Sequence, residues 1–292
     1  MKILITGSKG QLGSQIKDIL ERGTSQLGEI DGKYVKAVIL ETSKKELDIT
    51  SLKNTRKVIN KFRPSLVINT AAYTKVDECE DNIDIAFKVN ALGAKNLALS
   101  CEEVGAKLVH ISTDYVFSGA SNSPYREYDI PRPVNVYGKT KYLGEEYVKE
   151  FCSQYFIVRT SWLYGYNGKN FVKTIINMSK EKELLKVVDD QKGKPTNIED
   201  LVYHILKIAL TDEYGIYHCS GKGVCSWYDF ACKILELLNI DLRIIPIKSD
   251  ESNRSAKRPN YSSLDNMMLR CTVGDEMRPW EEALEDFINK MK

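Results

Sequence analysis

Tyr137 and Lys141 have the residue types and spacing that most directly suggest chemistry. They stand four apart in Tyr137-Gly138-Lys139-Thr140-Lys141, so on a helix they share one face. Free tyrosine titrates near about 10. A neighbouring ammonium favours the phenolate and lowers that value, which makes the phenol a usable proton donor, and the lysine has further donors to hold a ribose. Alone, such a pair is common on helix surfaces. Here it follows a strand-like run that ends in Ile111-Ser112-Thr113, and the Thr113 hydroxyl is placed to hydrogen-bond and orient a reacting carbonyl.

A second motif lies at the start of the chain. Thr6-Gly7-Ser8-Lys9-Gly10-Gln11-Leu12-Gly13 spaces its glycines by three, between an apolar run and an amphipathic stretch. Gly7 allows the tight turn, Gly10 lets backbone approach a pyrophosphate, and Gly13 permits close helix–sheet packing. The N–H groups of the following helix then face the phosphates. Glu41, near the end of the second expected strand, is the candidate for the adenosine ribose hydroxyls. A carboxylate there disfavours a 2′-phosphate, so NADH is slightly preferred over NADPH in this reading. Lys9, Lys44 and Lys45 pull the other way.

The elements that must carry these residues alternate. Strands are expected at Lys2–Thr6, Tyr34–Leu40, Leu66–Thr70, Lys107–Ser112 and Tyr155–Arg159. Helices are expected at Gln11–Glu21, Ser51–Phe62, Ile83–Val104 and Asn135–Phe151. Continuous apolar strands alternating with amphipathic helices argue for a parallel sheet covered on both faces. Beyond Thr160 the pattern loosens. Helices near Phe171–Lys180, Ile198–Leu210, Trp227–Leu238 and Glu281–Lys290 alternate with short strands at Leu185–Val188, Gly215–His218 and Leu242–Ile245. This divides the chain into a dinucleotide-binding part, residues 1–160 with a returning segment near 189–212, and a smaller lobe in 161–292.

Composition sets the outer bounds. The chain has 292 residues, with Lys+Arg 42 against Asp+Glu 40, a net charge of +2. That balance gives no general reason to bind nucleic acid or an anionic membrane. No apolar run approaches a membrane span, and the apolar stretch at the start is too short for a signal peptide. Seven cysteines without a CxxC spacing read as reduced thiols, and a cytoplasmic location is expected. The three histidines are scattered, and His110, inside an apolar run, reads as a satisfied core residue rather than a metal ligand.

The order of TGxxGxxG, a hydroxyl residue after a central strand, and YxxxK resembles the extended branch of the short-chain dehydrogenase/reductase superfamily. Further segments are similar to its dTDP-4-dehydrorhamnose reductase family: GQLG at Gly10–Gly13, NTAAYTKVDECE at Asn69–Glu80, VNALGAKNLA at Val89–Ala98, STDYVF at Ser112–Phe117, RTSWLYG at Arg159–Gly165, VDDQKGKPTNIEDL at Val188–Leu201 and AKRPNYSSLD at Ala256–Asp265. They span nearly the whole chain. The resemblance implies an α/β fold, a Rossmann-type doubly wound parallel sheet with a smaller C-terminal α/β substrate lobe. It also implies reduction of the C4 keto group of a dTDP-4-dehydro-6-deoxy-L-sugar by NADH or NADPH.

Residue by residue, the resemblance places Gly7, Gly10, Gln11 and Leu12 on the pyrophosphate, and Asp48 and Ile49 on the adenine side. Ala71, Ala72 and Tyr73 form the turn over adenosine and ribose, and Asn90 stands behind the cofactor. Tyr137 is the acid, Lys141 its modulator and Thr113 the third member. Tyr115, Trp162 and Asn170 line the sugar-nucleotide site, and Lys194 and Arg258 reach the diphosphate; Trp162 also reads as a core aromatic. Some members bridge a dimer through magnesium with a glutamate where this chain has Gln15. An amide is a poor magnesium ligand, so no metal is expected, and a homodimer stays open.

Two other readings remain. A regulatory subunit of methionine adenosyltransferase resembles the same branch and acts by binding alone, but a complete Thr113, Tyr137 and Lys141 set removes the simplest reason to propose it. The other keeps an enzyme of a different reaction, a sugar-nucleotide 4,6-dehydratase or epimerase or another 4-keto sugar-nucleotide reductase; dehydratases of the superfamily carry Asp-Glu after the threonine. Here Asp114-Tyr115 stands in that place, and the usual base for water elimination is missing.

Overall fold

The computed structural model describes residues 1–291. Six parallel strands form the central sheet: β1 (Lys2–Thr6), β2 (Val38–Thr42), β3 (Leu66–Asn69), β4 (Lys107–Thr113), β5 (Tyr155–Thr160) and, further along, β7 (Gly215–His218). Their spatial order is β7-β5-β4-β3-β1-β2. The chain runs outward from β1 to β2 and then returns to the other side of β1 at β3. Such a reversal opens a crevice at the carboxyl ends of the strands, where open α/β sheets bind ligands.

Both faces of the sheet are covered, and side-chain alternation sends each strand into both layers. Ile3 and Ile5 face a layer with Ile16, Ile19, Leu201 and Ile205, whereas Leu4 joins Val67, Leu97, Leu108 and Val148 on the opposite side. The first layer is built by helices α1 (Gln11–Arg22) and α6 (Ile198–Ala209), the second by α2 (Leu52–Phe62), α3 (Gly93–Val104) and α4 (Val136–Phe151). The smaller lobe therefore gives two elements, α6 and β7, to the sheet layers. Its own core joins α5 (Phe171–Glu181), α7 (Trp227–Leu237) and α8 (Trp280–Met291) around Tyr164, Phe230 and Phe287. Beside them β6 (Leu184–Val188) pairs in parallel with β8 (Arg243–Ile247).

Most expected elements are found within a residue or two of their bounds, and two differ. The second strand starts at Val38 rather than Tyr34, because Gly32–Tyr34 forms one 3-10 turn. That turn buries the Tyr34 ring, whose hydroxyl donates to Leu206 O at 2.8 Å. The expected helix Ile83–Val104 is interrupted by a π turn at Lys88–Leu92. Among the described residues no helix is long and apolar enough to cross a membrane, and all seven cysteines are unpaired.

Candidate active site

The glycine motif joins β1 to α1 at the crevice. Gly7 has φ +66°, and a Cβ there would lie 2.8 Å from Ala71 N, at the end of β3. A Cβ on Gly13 would lie 2.5 Å from Gly7 O. Both positions therefore require glycine, the first for its left-handed backbone as well. Gly10 is the N-cap of α1 and offers no side-chain cap, so the first-turn N–H groups are left for a ligand. The adjoining cavity, of about 410 Å³, is lined by Gly7, Lys9, Gly10, Ser43, Lys44, Asp48, Ile49, Ala71, Ala72 and Tyr73, among others. A glycine cradle at a helix N-terminus beside a cavity of this kind fits the pyrophosphate and adenosine of a dinucleotide.

Glu41 is not brought to this cavity. The strand β2 continues to Thr42 rather than ending at Leu40, which puts Glu41 inside it, on the α1 side of the sheet, where it pairs with Lys17 at 2.9 Å. The expected contact between Glu41 and the ribose is therefore corrected: strand alternation points this carboxylate at α1, and the cavity wall at that end carries Lys9, Ser43 and Lys44. Leu12 is buried in the core beside the loop. Gln11 and Asn170 meet one another, Asn170 Nδ2 donating to Gln11 Oε1 at 2.9 Å and to Gly165 O at 2.9 Å. Together they brace the glycine loop against the smaller lobe.

Asn90 lies in the π turn, a helical irregularity found often at functional sites. Its Oδ1 accepts from Tyr73 N at 2.8 Å, and its Nδ2 donates to Tyr73 O and to Thr140 Oγ1, each at 3.1 Å. One side chain thus ties the turn lining the cleft to α4, the helix of Tyr137 and Lys141. Asn135 caps that helix by accepting from Gly138 N at 2.7 Å. A Cβ on Gly138 would lie 2.1 Å from Tyr115 O, so glycine after Tyr137 lets the helix start against the turn following β4.

That packing sets Tyr137 beside Thr113, with Lys141 one turn further along α4. Thr113 ends β4, and the Tyr137 ring meets Tyr115 edge-on with centroids 5.9 Å apart. Burial raises the pKa of Tyr137 above the ordinary phenol value, opposite to the lowering expected from a neighbouring ammonium, and the Thr113 hydroxyl pulls the other way. Lys141 is buried and donates to Ile111 O at 2.5 Å. Burial lowers its pKa to about 8, against the attraction of Glu145. A lysine poised there exchanges its proton within reach of neutral pH.

A second cavity, of about 450 Å³, opens on the side of the smaller lobe and is lined by Tyr115, Phe171, Lys186, Gln191, Trp227, Arg254 and Arg258, among others. Arg258 forks onto Asp77, with Nη1–Oδ1 at 3.1 Å and Nη2–Oδ2 at 2.7 Å, and this guanidinium holds the Asp77 carboxyl down to about 2. Trp162 is one layer back. Its indole stacks on Trp227 at 3.5 Å and 7°, with Gly193 against its other side. Lys194 is turned away from the cavity, and its Nζ donates to Leu264 O at 2.6 Å. Gln15, where a metal was not expected, donates to Glu199 Oε1 at 2.7 Å and to Asp18 Oδ2 at 3.0 Å.

The whole chain, residues 1–292, matches the family described as RmlD substrate binding domain. The chain belongs to the RmlD family. It is 36% identical to the dTDP-4-dehydrorhamnose reductase of Aggregatibacter actinomycetemcomitans over 298 residues, covering 98% of this chain and 97% of that one. The crystal structure of a dTDP-4-dehydrorhamnose reductase from Clostridium acetobutylicum is similar at TM-score 0.93 and 47% identity, covering 100% and 99% of the two chains. That of the Bacillus anthracis reductase, solved in complex with NADP, gives TM-score 0.92 and 44% identity, with 99% of each chain covered.

Within this RmlD-family chain, sequence reasoning missed three residues at the substrate side. Trp227 and Arg254 line the cavity, yet neither belongs to a motif; Trp227 merely opens a helix, and Arg254 sits in a polar loop. Asp114 follows Thr113 and is buried, with Oδ1 accepting from Thr113 Oγ1 at 3.0 Å and Oδ2 unpartnered. Burial pushes its carboxyl up to about 7. Its position after the threonine was the available signal, but sequence cannot show its burial.

Proposed function

We propose that this chain reduces the C4 keto group of dTDP-4-dehydro-6-deoxy-L-mannose to give dTDP-L-rhamnose. The observation that carries the reading is the Thr113, Tyr137 and Lys141 set, with Thr113 and Lys141 buried and Tyr137 half-buried, on a chain that also has a glycine-cradled cleft and an arginine-bearing cavity. The nicotinamide cofactor supplies hydride when bound. Tyr137 donates its proton to the oxygen that becomes the C4 hydroxyl, Thr113 orients that oxygen, and Lys141 returns the proton to Tyr137. Arg254 and Arg258 meet the diphosphate, where charge-assisted hydrogen bonds are strongest, and Trp227 covers the nucleoside or sugar. Residues 1–160 serve as the dinucleotide part together with a returning segment that runs past 189–212 to include β7 (Gly215–His218) of the same sheet, and the rest of 161–292 as the substrate lobe.

NADPH is the better donor in this reading. Glu41 is engaged by Lys17, and Lys9, Ser43 and Lys44 line the cleft with donors that suit a 2′-phosphate. A regulatory role without turnover has no use for a buried lysine one helical turn from a half-buried tyrosine. The test is turnover of the 4-keto-6-deoxy-L-sugar nucleotide, followed by loss of reduced-cofactor absorbance with NADPH and with NADH in parallel. Absence of turnover with both refutes the activity, and a higher kcat/KM for NADH refutes the cofactor assignment.

A further inference from the structure

Behind the catalytic lysine runs a buried polar row that the steps above leave unused. Thr6 Oγ1 donates to Asn69 Oδ1 at 2.6 Å, and Ala71 N donates to the same oxygen at 3.2 Å. Two donors on one atom fix the amide, so that Nδ2 is the group 2.9 Å from His110 Nδ1. An amide N–H only donates, so Nδ1 carries a lone pair and the neutral ring holds its proton on Nε2. Nε2 stands 3.5 Å from Lys141 Nζ. Histidine and lysine are 1% and 2% exposed.

An N–H aimed at an ammonium is a donor facing a donor, whereas aimed at an uncharged amine it makes a hydrogen bond. The other contact of Lys141, to Ile111 O, is satisfied by either form. On its own helix the lysine is flanked by Tyr137 and by Glu145, whose charge is engaged by Arg159 of β5 and the Ser112 hydroxyl. From β4 it faces His110, and Asp114 in the next turn acts on Tyr137.

We propose that His110 is a positioning residue: held by Asn69 with its proton on Nε2, it presents that N–H to Lys141 Nζ and favours the uncharged amine. The lysine can then release and regain a proton within one turnover. The inference rests on the role given to Lys141 above. Burial acts in the same sense, keeping the pKa of His110 well below the ordinary imidazole value and bringing that of Lys141 down to about 8. The row also reaches the cofactor turn, since Thr6 leads into Gly7 and Ala71 lines the cleft.

The test reads the protons directly on the full chain. With only 3 histidines, nitrogen-15 labelling resolves each ring, and His110 is assigned from the spectrum of His110→Gln. An unprotonated Nδ1 and a protonated Nε2 are expected; the reverse tautomer overturns the proposal, and this measurement needs no variant that must be active. The titration of Lys141, followed at a carbon-13-labelled Cε and assigned with Lys141→Met, is expected to rise by about one pH unit in His110→Leu. It should stay near wild type in His110→Gln, whose amide keeps an N–H donor. An unmoved titration in folded His110→Leu also overturns the proposal. If the lysine moves as expected but the alkaline limb of kcat does not follow, the catalytic assignment of Lys141 fails, while its contact with His110 stands.

Discussion

At the scale of single residues, the chemistry separates cleanly from the packing at Tyr137. Its ring fills the angle between α4 and the turn after β4, and its hydroxyl is the part assigned to the substrate. Tyr137→Phe should therefore leave the cofactor Kd nearly unchanged and lower kcat by about 10²–10⁴, the usual contribution of a positioned general acid. Steady-state turnover beside a cofactor titration checks this, and activity within about tenfold of wild type removes Tyr137 as the donor. Lys44 carries the parallel argument for the cofactor. A charge-assisted contact is worth about 1.5–3 kcal/mol, so Lys44→Ala should lower kcat/KM for NADPH by about tenfold or more and spare NADH. Equal losses for the two would assign Lys44 elsewhere. The glycines, Tyr137 and Lys141 were legible because each role constrains residue type. The direction of Glu41 was not, because it depends on β2 running on to Thr42 and on Lys17 of α1 lying opposite, a pairing distant in sequence.

At the scale of elements, period and capping were readable wherever local preference and tertiary packing agree. The β4 run and α4 with its Asn135 cap lie where the pattern puts them. The π turn was invisible because its cause is a partner distant in sequence: Asn90 must reach Tyr73 and Thr140 at once. The same limit applies to the tryptophans. Trp162 follows β5 with φ +48°, and that backbone lays its indole under Trp227 rather than in the cavity. Trp227→Ala should accordingly raise the KM for the sugar nucleotide with little change in cofactor Kd. Trp162→Ala should raise it less and also lower the melting temperature, since loss of a packed Trp costs up to about 3–5 kcal/mol. A larger KM effect from Trp162→Ala at unchanged stability would restore Trp162 as the direct contact.

At the scale of the whole molecule, the buried titratable groups make stability depend on pH in two opposing ways. His110, His204 and His218 are buried, and burial holds the pKa of each below its ordinary value. Below about 6.5 the unfolded chain binds protons at these rings that the native chain does not, so stability falls as pH drops through that value. Asp114 has the opposite sign. Burial raises its carboxyl from 3.8 to about 7, so between those values the native state holds a proton that the unfolded chain has released. Its cost is therefore present above about 7 and relieved on acidification. Asp114→Asn keeps the shape and removes the titration. The variant should gain stability relative to wild type on going from pH 5 to pH 8, by an amount on the order of 3 kcal/mol. Both proteins should lose stability from pH 6.5 to 5 as the histidines prevail, the variant more steeply because it lacks the opposing Asp114 titration. Urea midpoints for both proteins at the three pH values decide it. A stability difference that stays flat from pH 5 to 8 would mean that Asp114 is ionised in the native state throughout, held by a partner other than Thr113.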